Sequence, residues 1–471
     1  MTLAGSRPRA LVIAYDFPPH AAVGTQRTLR LVRYLAESGW DVRVLTGDPR
    51  TFRRDTPLDM ELLKRVPPSV TVLRASTWRP VEAAQRRIRT LIHGDQESSP
   101  SKAATAVSEA QTRSRDSSGP RGFARRISAA IDAMTTIPDA EVGWAAPAIS
   151  RGRADSVGWK PQVIYSSAPP WTGHLVAGAL AAWASVPWVA DFRDPWARAP
   201  WRRARTSWIG NAAATVLEHT VVRRADAVIF TTMAARAEFA TRYGAVRDAR
   251  FAIVPNGCDL SLFDGLKPSP RRGAFVLLHA GSLYGGRSPE PVLRAIARAI
   301  DNGLIDRTQF RLRLVGSPSE SVTRAAGELK LLDVVEEAGR KIHRETLAEM
   351  MSASALLLLQ QGTDMSVPAK LYEYFAAGRP ILALSESAEI ADLLGRSRAG
   401  LSVPDNDEQG IMDAIVSLVR RTTALQPAPS SCYDGLIRAS ETAAILRNVM
   451  RREPLPALTG AISPLPHREG L

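Results

Sequence analysis

The feature that most constrains this chain is an alternation of short β-branched runs with amphipathic helical stretches, and the alternation runs twice. Strands are predicted at residues 9–14, 41–46, 70–73, 163–166, 188–192 and 227–231, with helical periodicity between them. In the stretch 25–38, Leu29, Val32, Leu35 and Ala36 share one helix face, and Gly39 stands where a helix-ending glycine belongs. The same grammar restarts after Pro255-Asn256-Gly257. Strands are predicted there at 275–279, 310–315, 355–359, 381–384 and 401–403, with a helix at 290–302. Repeated β-α alternation in two halves implies an α/β fold of two doubly wound parallel sheets. The expected division is a first domain over 1–255, a second over 256–453 whose last helix can cross back to the first, and a disordered tail over 454–471.

One stretch breaks the grammar. Residues 93–121 are rich in Ser, Ala, Arg and Gln with few large apolar side chains, so a mobile basic insertion is expected at about 80–140. Residues 121–137 carry a stripe of Phe123, Ile127, Ile131 and Met134 beside Arg121, Arg125 and Arg126. Two readings stand for it: a basic amphipathic helix on an anionic bilayer, or a helix packed on its own domain with solvated arginines.

Composition bears on partners and on excluded classes. With 45% hydrophobic and 23% charged residues, wholesale disorder and fibrous architectures are out. The 61 Lys+Arg exceed the 47 Asp+Glu by 14. The excess is lopsided: residues 1–245 hold 34 basic and 21 acidic side chains, against 27 and 26 in 246–471. An anionic partner for the first half follows. The arginines are not interleaved with aromatics in a stripe, and no Gly-Lys-Ser/Thr phosphate loop is present, so nucleic acid is not expected. Cys258 and Cys432 cannot form a disulfide framework or a four-thiolate zinc site, and a reducing compartment is the simplest reading. The apolar run 10–14 is too short for a signal peptide. The uncharged stretch 161–190 is cut by Pro169-Pro170, Gly173 and Pro187, so a soluble or peripheral protein is expected.

Two loops carry the sharpest chemistry, each at a strand end that meets a helix. In open α/β sheets ligands bind at the carboxyl ends of strands, where helix N-termini offer free N–H groups to anions. Gly281, Ser282, Gly285 and Gly286 lead to Arg287 between a strand and a helix, a backbone that can approach a phosphate beside a permanent cation. A tight connection with a surface arginine would look the same. The second element is Pro368-Ala369-Lys370-Leu371-Tyr372-Glu373, closed by Gly378. Lys370 falls in a first helical turn, where the dipole disfavours a cation unless an anion is bound. Glu373 lies three residues on, placed to accept from a ribose, or merely to form an i,i+3 ion pair. Asp405-Asn406-Asp407 could suggest a metal, but its setting before a helix reads as an N-cap loop, and no metal is expected.

Further segments fall in a familiar order: Tyr15-Asp16-Phe17-Pro18-Pro19 with Gly24, Gly39-Trp40-Asp41, Ala190-Asp191-Phe192-Arg193-Asp194-Pro195-Trp196, Ala225-Asp226-Ala227 and Pro255-Asn256-Gly257. Together with the two loops, from Tyr15 to Pro380, the chain resembles a retaining glycosyltransferase of family 4, with the two-domain GT-B architecture. That resemblance implies a nucleotide-diphosphate sugar as co-substrate on the second domain, an acceptor on the first, and no metal or other cofactor. Carried over, Arg287 and Lys370 neutralise the diphosphate, Glu373 binds the ribose, and Gly281, Ser282, Gly286 and Gly316 line the donor site. Backbone near 340–342 contacts the base. Pro19, His20, Gly24, Asp191 and Arg193 belong to the acceptor side or its closing loop, and Asp194 is a candidate to activate the acceptor hydroxyl.

Where the family often has a sugar-contacting glutamate, eight residues before Glu373, this chain has Met365 with Asp364 beside it. With the acceptor expected on the first half, the basic excess there suits a glycan or lipid-diphosphate-linked acceptor at an anionic membrane surface, so polysaccharide or glycoconjugate assembly by a cytoplasmic protein, peripheral on the inner membrane face, is expected. The alternatives carried forward are a nucleotide-sugar epimerase of the same architecture and a non-catalytic basic binding protein.

Overall fold

The structure is a computed structural model that describes residues 7–79, 137–199, 208–244, 250–268, 273–281, 283 and 287–456. Most of the expected insertion, residues 121–136 of the basic stripe, Ser282, Gly286 and the tail from 457 lie outside the described residues.

The first half builds one parallel sheet. Its strands are β1 (Arg9–Ile13), β2 (Asp41–Gly47), β3 (Thr71–Ala75), β4 (Val163–Ala168), β5 (Trp188–Phe192), β6 (Ala227–Phe230) and β7 (Phe251–Ile253), in the order β3-β2-β1-β4-β5-β6-β7. Helices α1 (Val23–Glu37), α2 (Ala145–Trp159), α3 (Thr172–Ala184), α4 (Trp208–Arg224) and α5 (Met233–Tyr243) cover it. Every residue of β4 and β5 is buried, as expected of central parallel strands covered on both faces. The uncharged stretch 161–190 resolves into β4, α3 and the start of β5. No helix among the described residues is long and apolar enough to cross a membrane.

The second half repeats the plan with β8 (Phe275–Ala280), β9 (Phe310–Val315), β10 (Val335–Glu337), β11 (Ala355–Gln360), β12 (Ile381–Ser385) and β13 (Gly400–Val403). Their order is β10-β9-β8-β11-β12-β13, again all parallel. Around them lie α6 (Glu290–Asp301), α7 (Glu320–Glu328), α8 (His343–Ser352), α9 (Ala369–Ala377), α10 (Ala388–Ser397) and α11 (Glu408–Arg420). The last helix, α12 (Gly435–Arg451), leaves this domain. Its Ala443, Ile445, Leu446 and Val449 join the core of the first sheet beside Leu29, Val32 and Leu35 of α1.

Two strands were not anticipated, β7 and β10. Each has three residues and lies at a sheet edge, and β10 ends in Glu336-Glu337, so neither carries a buried run long enough to read. Asp407 is an N-cap: its Oδ1 accepts from Gly410 N at 2.9 Å at the start of α11.

Both sheets reverse strand order once, between β1 and β4 and between β8 and β11. Ligands of open α/β sheets bind at such switch points, beyond the carboxyl ends of the strands. The loops leaving all four of these strands line one cleft between the domains.

Candidate active site

The cleft is a cavity of about 710 Å³, walled by α1 and the β1, β4 and β5 loops on one side and by the β8, β9 and β11 loops and α9 on the other. That volume suits a cofactor-sized ligand. Gly281, Arg287, Gly316, Lys370 and Glu373 line the second domain's wall, and Gly24, Arg193 and Asp194 line the first.

Lys370 reaches the cleft because α9 starts at Ala369, with Pro368 as its N-cap and Gly378 closing the helix at φ +66°. The lysine therefore sits in the first turn, beside free N–H groups. Gly281 follows β8 at φ +153°, and a Cβ there would lie 3.1 Å from Lys370 Nζ. The absent side chain leaves room for both the ammonium and an anion. Burial pulls Lys370 below its usual value, Glu373 raises it and Arg287 lowers it further, the signature of a partly desolvated cation beside another.

Arg287 is held in the cleft by Gln360, the buried last residue of β11, whose Oε1 accepts from Arg287 Nη2 at 2.7 Å. Gln361 braces the same loop, accepting from Ser288 N at 2.8 Å and donating to Ser288 O at 3.1 Å. Glu373 accepts from His343 Nε2 at 3.0 Å, at the first residue of α8. Burial pushes the Glu373 carboxyl up, but His343, Lys370 and Arg30 outweigh it and hold it below the usual glutamate range. Gly316 N donates to Gly339 O at 3.0 Å, which joins two loops of this wall.

On the facing wall, Arg193 lies over Gly24. A Cβ on Gly24 would overlap its guanidinium, which also donates to Ala168 O at 3.3 Å and to Pro169 O. Asp194 is half-buried. Burial raises its carboxyl, and Arg193 and Arg287 only partly counter this, so it is a stronger base than an exposed aspartate.

Three expected acceptor-side residues do not face the cleft. Asp191 is fully buried in a network of its own, accepting from Arg27 Nε at 2.7 Å and Nη2 at 2.9 Å and from Tyr165 Oη at 2.5 Å. Arg27 also donates to Val254 O at 3.0 Å and Pro255 O at 2.9 Å, so Asp191 anchors the interdomain linker rather than a ligand. His20 turns back against Tyr15 and Phe52, with Nδ1 3.0 Å from the Asp16 carboxylate. Pro19 is spent on the loop itself, its carbonyl accepting from Asp59 N at 2.8 Å. Asp364 is exposed and does not line the cleft. Met365 lies near Arg193 and Asp194, and its carbonyl accepts from Thr232 Oγ1 across the domains at 2.9 Å.

Sequence reasoning missed Gln360, His343, Arg30 and His279. His279 Nδ1 meets Leu357 O at 2.9 Å while Nε2 is buried without a partner among the described residues, and burial lowers its pKa to about 4, leaving it neutral at pH 7. Its position two residues before Gly281, at a strand end, was the one available signal.

Residues 24–257 match the family model described as a glycosyl transferase 4-like domain, and residues 274–421 match the model for glycosyl transferases group 1. The chain belongs to this glycosyltransferase family. A curated relative, the D-inositol 3-phosphate glycosyltransferase of Streptomyces scabiei, is 30% identical over 189 residues, 37% of this chain and 42% of the relative. An exopolysaccharide phosphotransferase of Streptomyces coelicolor is 26% identical over 191 residues, 40% of this chain and 19% of its own length. The matched part is thus less than half of each of these relatives. The GT-B fold is shared with sucrose-phosphate synthase of Thermosynechococcus elongatus (TM-score 0.57, 15% identity, covering 95% of this chain and 97% of the other). It is shared also with Anabaena HepE in complex with UDP (TM-score 0.56, 14% identity, 93% and 100%).

Proposed function

We propose that this member of the family transfers a sugar, with retention and without a metal, from a nucleotide-diphosphate donor to a hydroxyl of a glycan or lipid-diphosphate-linked acceptor. The observation that carries the reading is the pairing of Arg287 with Lys370 in one cleft wall at the β8/β11 switch point, with Glu373 one helical turn beyond the lysine. Cleaving the anomeric carbon–oxygen bond of the donor leaves a diphosphate and an oxocarbenium-like sugar. Two fixed cations and the N-terminus of α9 would stabilise that developing negative charge more in the transition state than in the ground state. Glu373, kept ionised, accepts hydrogen bonds from the ribose. Asp194, with its raised carboxyl and its place on the opposite wall, takes the proton of the acceptor hydroxyl.

The basic first half supports an anionic acceptor presented at a membrane surface, and hence a cytoplasmic enzyme peripheral to the membrane that builds polysaccharide or another glycoconjugate. Incubation with UDP-, GDP- and dTDP-sugars, with and without lipid-linked acceptors, tests the reading. One donor should release its nucleoside diphosphate in an acceptor-dependent way. Failure of every donor to bind at millimolar concentration would sink it.

A further inference from the structure

Helix α1 carries arginines at 27, 30 and 33, three residues apart and so along one side of the helix. The outer two are paired. Arg27 holds Asp191 and the linker carbonyls, and Arg33 Nη1 donates to Asp259 Oδ2 at 2.8 Å. Arg30, between them, is 7% exposed, and its guanidinium has no hydrogen bond or ion pair with any described residue. Its stem lies on Gly435, where a Cβ would stand 2.5 Å from Arg30 Cδ and 2.6 Å from Nε, so the side chain is seated rather than loose. It lines the cleft. Burial lowers it to about 10, which leaves it charged at neutral pH. The carboxylates that act on it make no contact with it, so the described residues compensate its burial incompletely, which points to a group that arrives from outside.

The chemistry of that group follows from what else acts at this end of the cleft. Asp259 attracts Arg30 but is already engaged by Arg33 and Arg65. The remaining carboxylate is Glu373, on the opposite wall. A ligand between them must offer acceptor oxygens to Arg30 and hydroxyl donors to Glu373 within one small molecule. Ribose beside a phosphate has both.

We infer that Arg30 is a nucleotide-binding residue supplied by the first domain, donating across the cleft to the ribose–phosphate portion of the donor held on the second. The inference rests on the proposed reading of the donor site and adds a grip from the other wall. Donor occupancy then ties the domains together and brings acceptor oxygens to the Arg30 guanidinium.

Calorimetric titration of UDP, GDP and dTDP into the full chain, with melting temperatures measured alongside, tests this. Arg30→Met should bind the preferred nucleoside diphosphate at least tenfold more weakly, with a melting temperature of the unliganded protein equal to or above wild type, because an unpaired buried charge has been removed. Arg30→Lys should fall between. A merely structural arginine would give the opposite pattern, a lower melting temperature with affinity unchanged in whatever remains folded. Retention of affinity within twofold in Arg30→Met overturns the inference. If Lys370→Ala loses binding while Arg30→Met does not, Arg30 alone is misassigned and the donor site stands. If wild type binds none of the three nucleotides, the donor reading and this inference fall together.

Discussion

At the residue scale, the charges of the cleft set its pH behaviour. Lys370 is held below the ordinary lysine range by burial and by Arg287. Its protonated form is the one proposed to bind diphosphate, so donor affinity should fall as pH rises through that lowered value, earlier than an exposed lysine near 10.4 would allow. Lys370→Arg, which stays charged, should move the alkaline loss upward, and a donor-titration series across pH checks this. Asp194 has the reverse displacement. Its base form is lost as pH falls through a value above the usual aspartate range, so Asp194→Asn should lower kcat by about 10²–10⁴ and abolish the acid limb while leaving donor affinity intact. Full transfer by Asp194→Asn would remove it from the mechanism. Lys370 and Glu373 could be read from the sequence because a cation in the first turn of a helix is a local contradiction. Gln360 and Arg30 could not. The first matters through a contact with Arg287, 73 residues away in the chain, and the second through its burial at the cleft without a hydrogen bond to any described residue, and neither fact has a local trace.

At the element scale, a glycine shapes the cleft wall. Gly281 has a positive φ, and its missing Cβ leaves the space beside Lys370 Nζ. Gly281→Ala should cost about 1–3 kcal/mol from backbone conformation and weaken donor binding more than it lowers the melting temperature, a split that calorimetry and thermal unfolding measure together. Equal losses in both would reduce Gly281 to a folding residue. The strand–helix grammar was legible because parallel strands buried on both faces read as near-continuous apolar runs, as β11 does up to its final Gln360. Edge strands β7 and β10 bury too little to leave that mark. The acceptor side was the least legible. Asp191, Arg193 and Asp194 are near neighbours, yet the pleat and the strand end send Asp191 into the core and leave Arg193 and Asp194 to line the cleft.

At the scale of the whole molecule, two chain segments cross between the domains side by side. Cys258 N donates to Tyr433 O at 2.6 Å and Gly435 N to Cys258 O at 2.7 Å, and a Cβ on Gly257 would stand 2.9 Å from Gly435 Cα. Gly257→Val should therefore destabilise the fold by about 1–3 kcal/mol, as overpacking against backbone does. It should also loosen the coupling of donor binding to domain closure, which small-angle scattering with and without nucleotide would follow. The charge asymmetry belongs to this scale as well. With 34 basic and 21 acidic residues in 1–245, the protein should sediment with anionic vesicles at low salt and release as ionic strength rises and the Debye length shrinks. No sedimentation at low salt would detach the charge from the membrane. The cations proposed to hold the donor, by contrast, belong to the nearly neutral half.

The central claim is that Arg287 and Lys370 bind the diphosphate of a nucleotide sugar, and its most direct test is the affinity of the full chain for the nucleoside diphosphate its preferred donor releases. Wild type should bind it, and Lys370→Ala should lose at least tenfold in affinity while its melting temperature without ligand stays within a few degrees of wild type. Undiminished affinity in the folded Lys370→Ala variant would contradict the account.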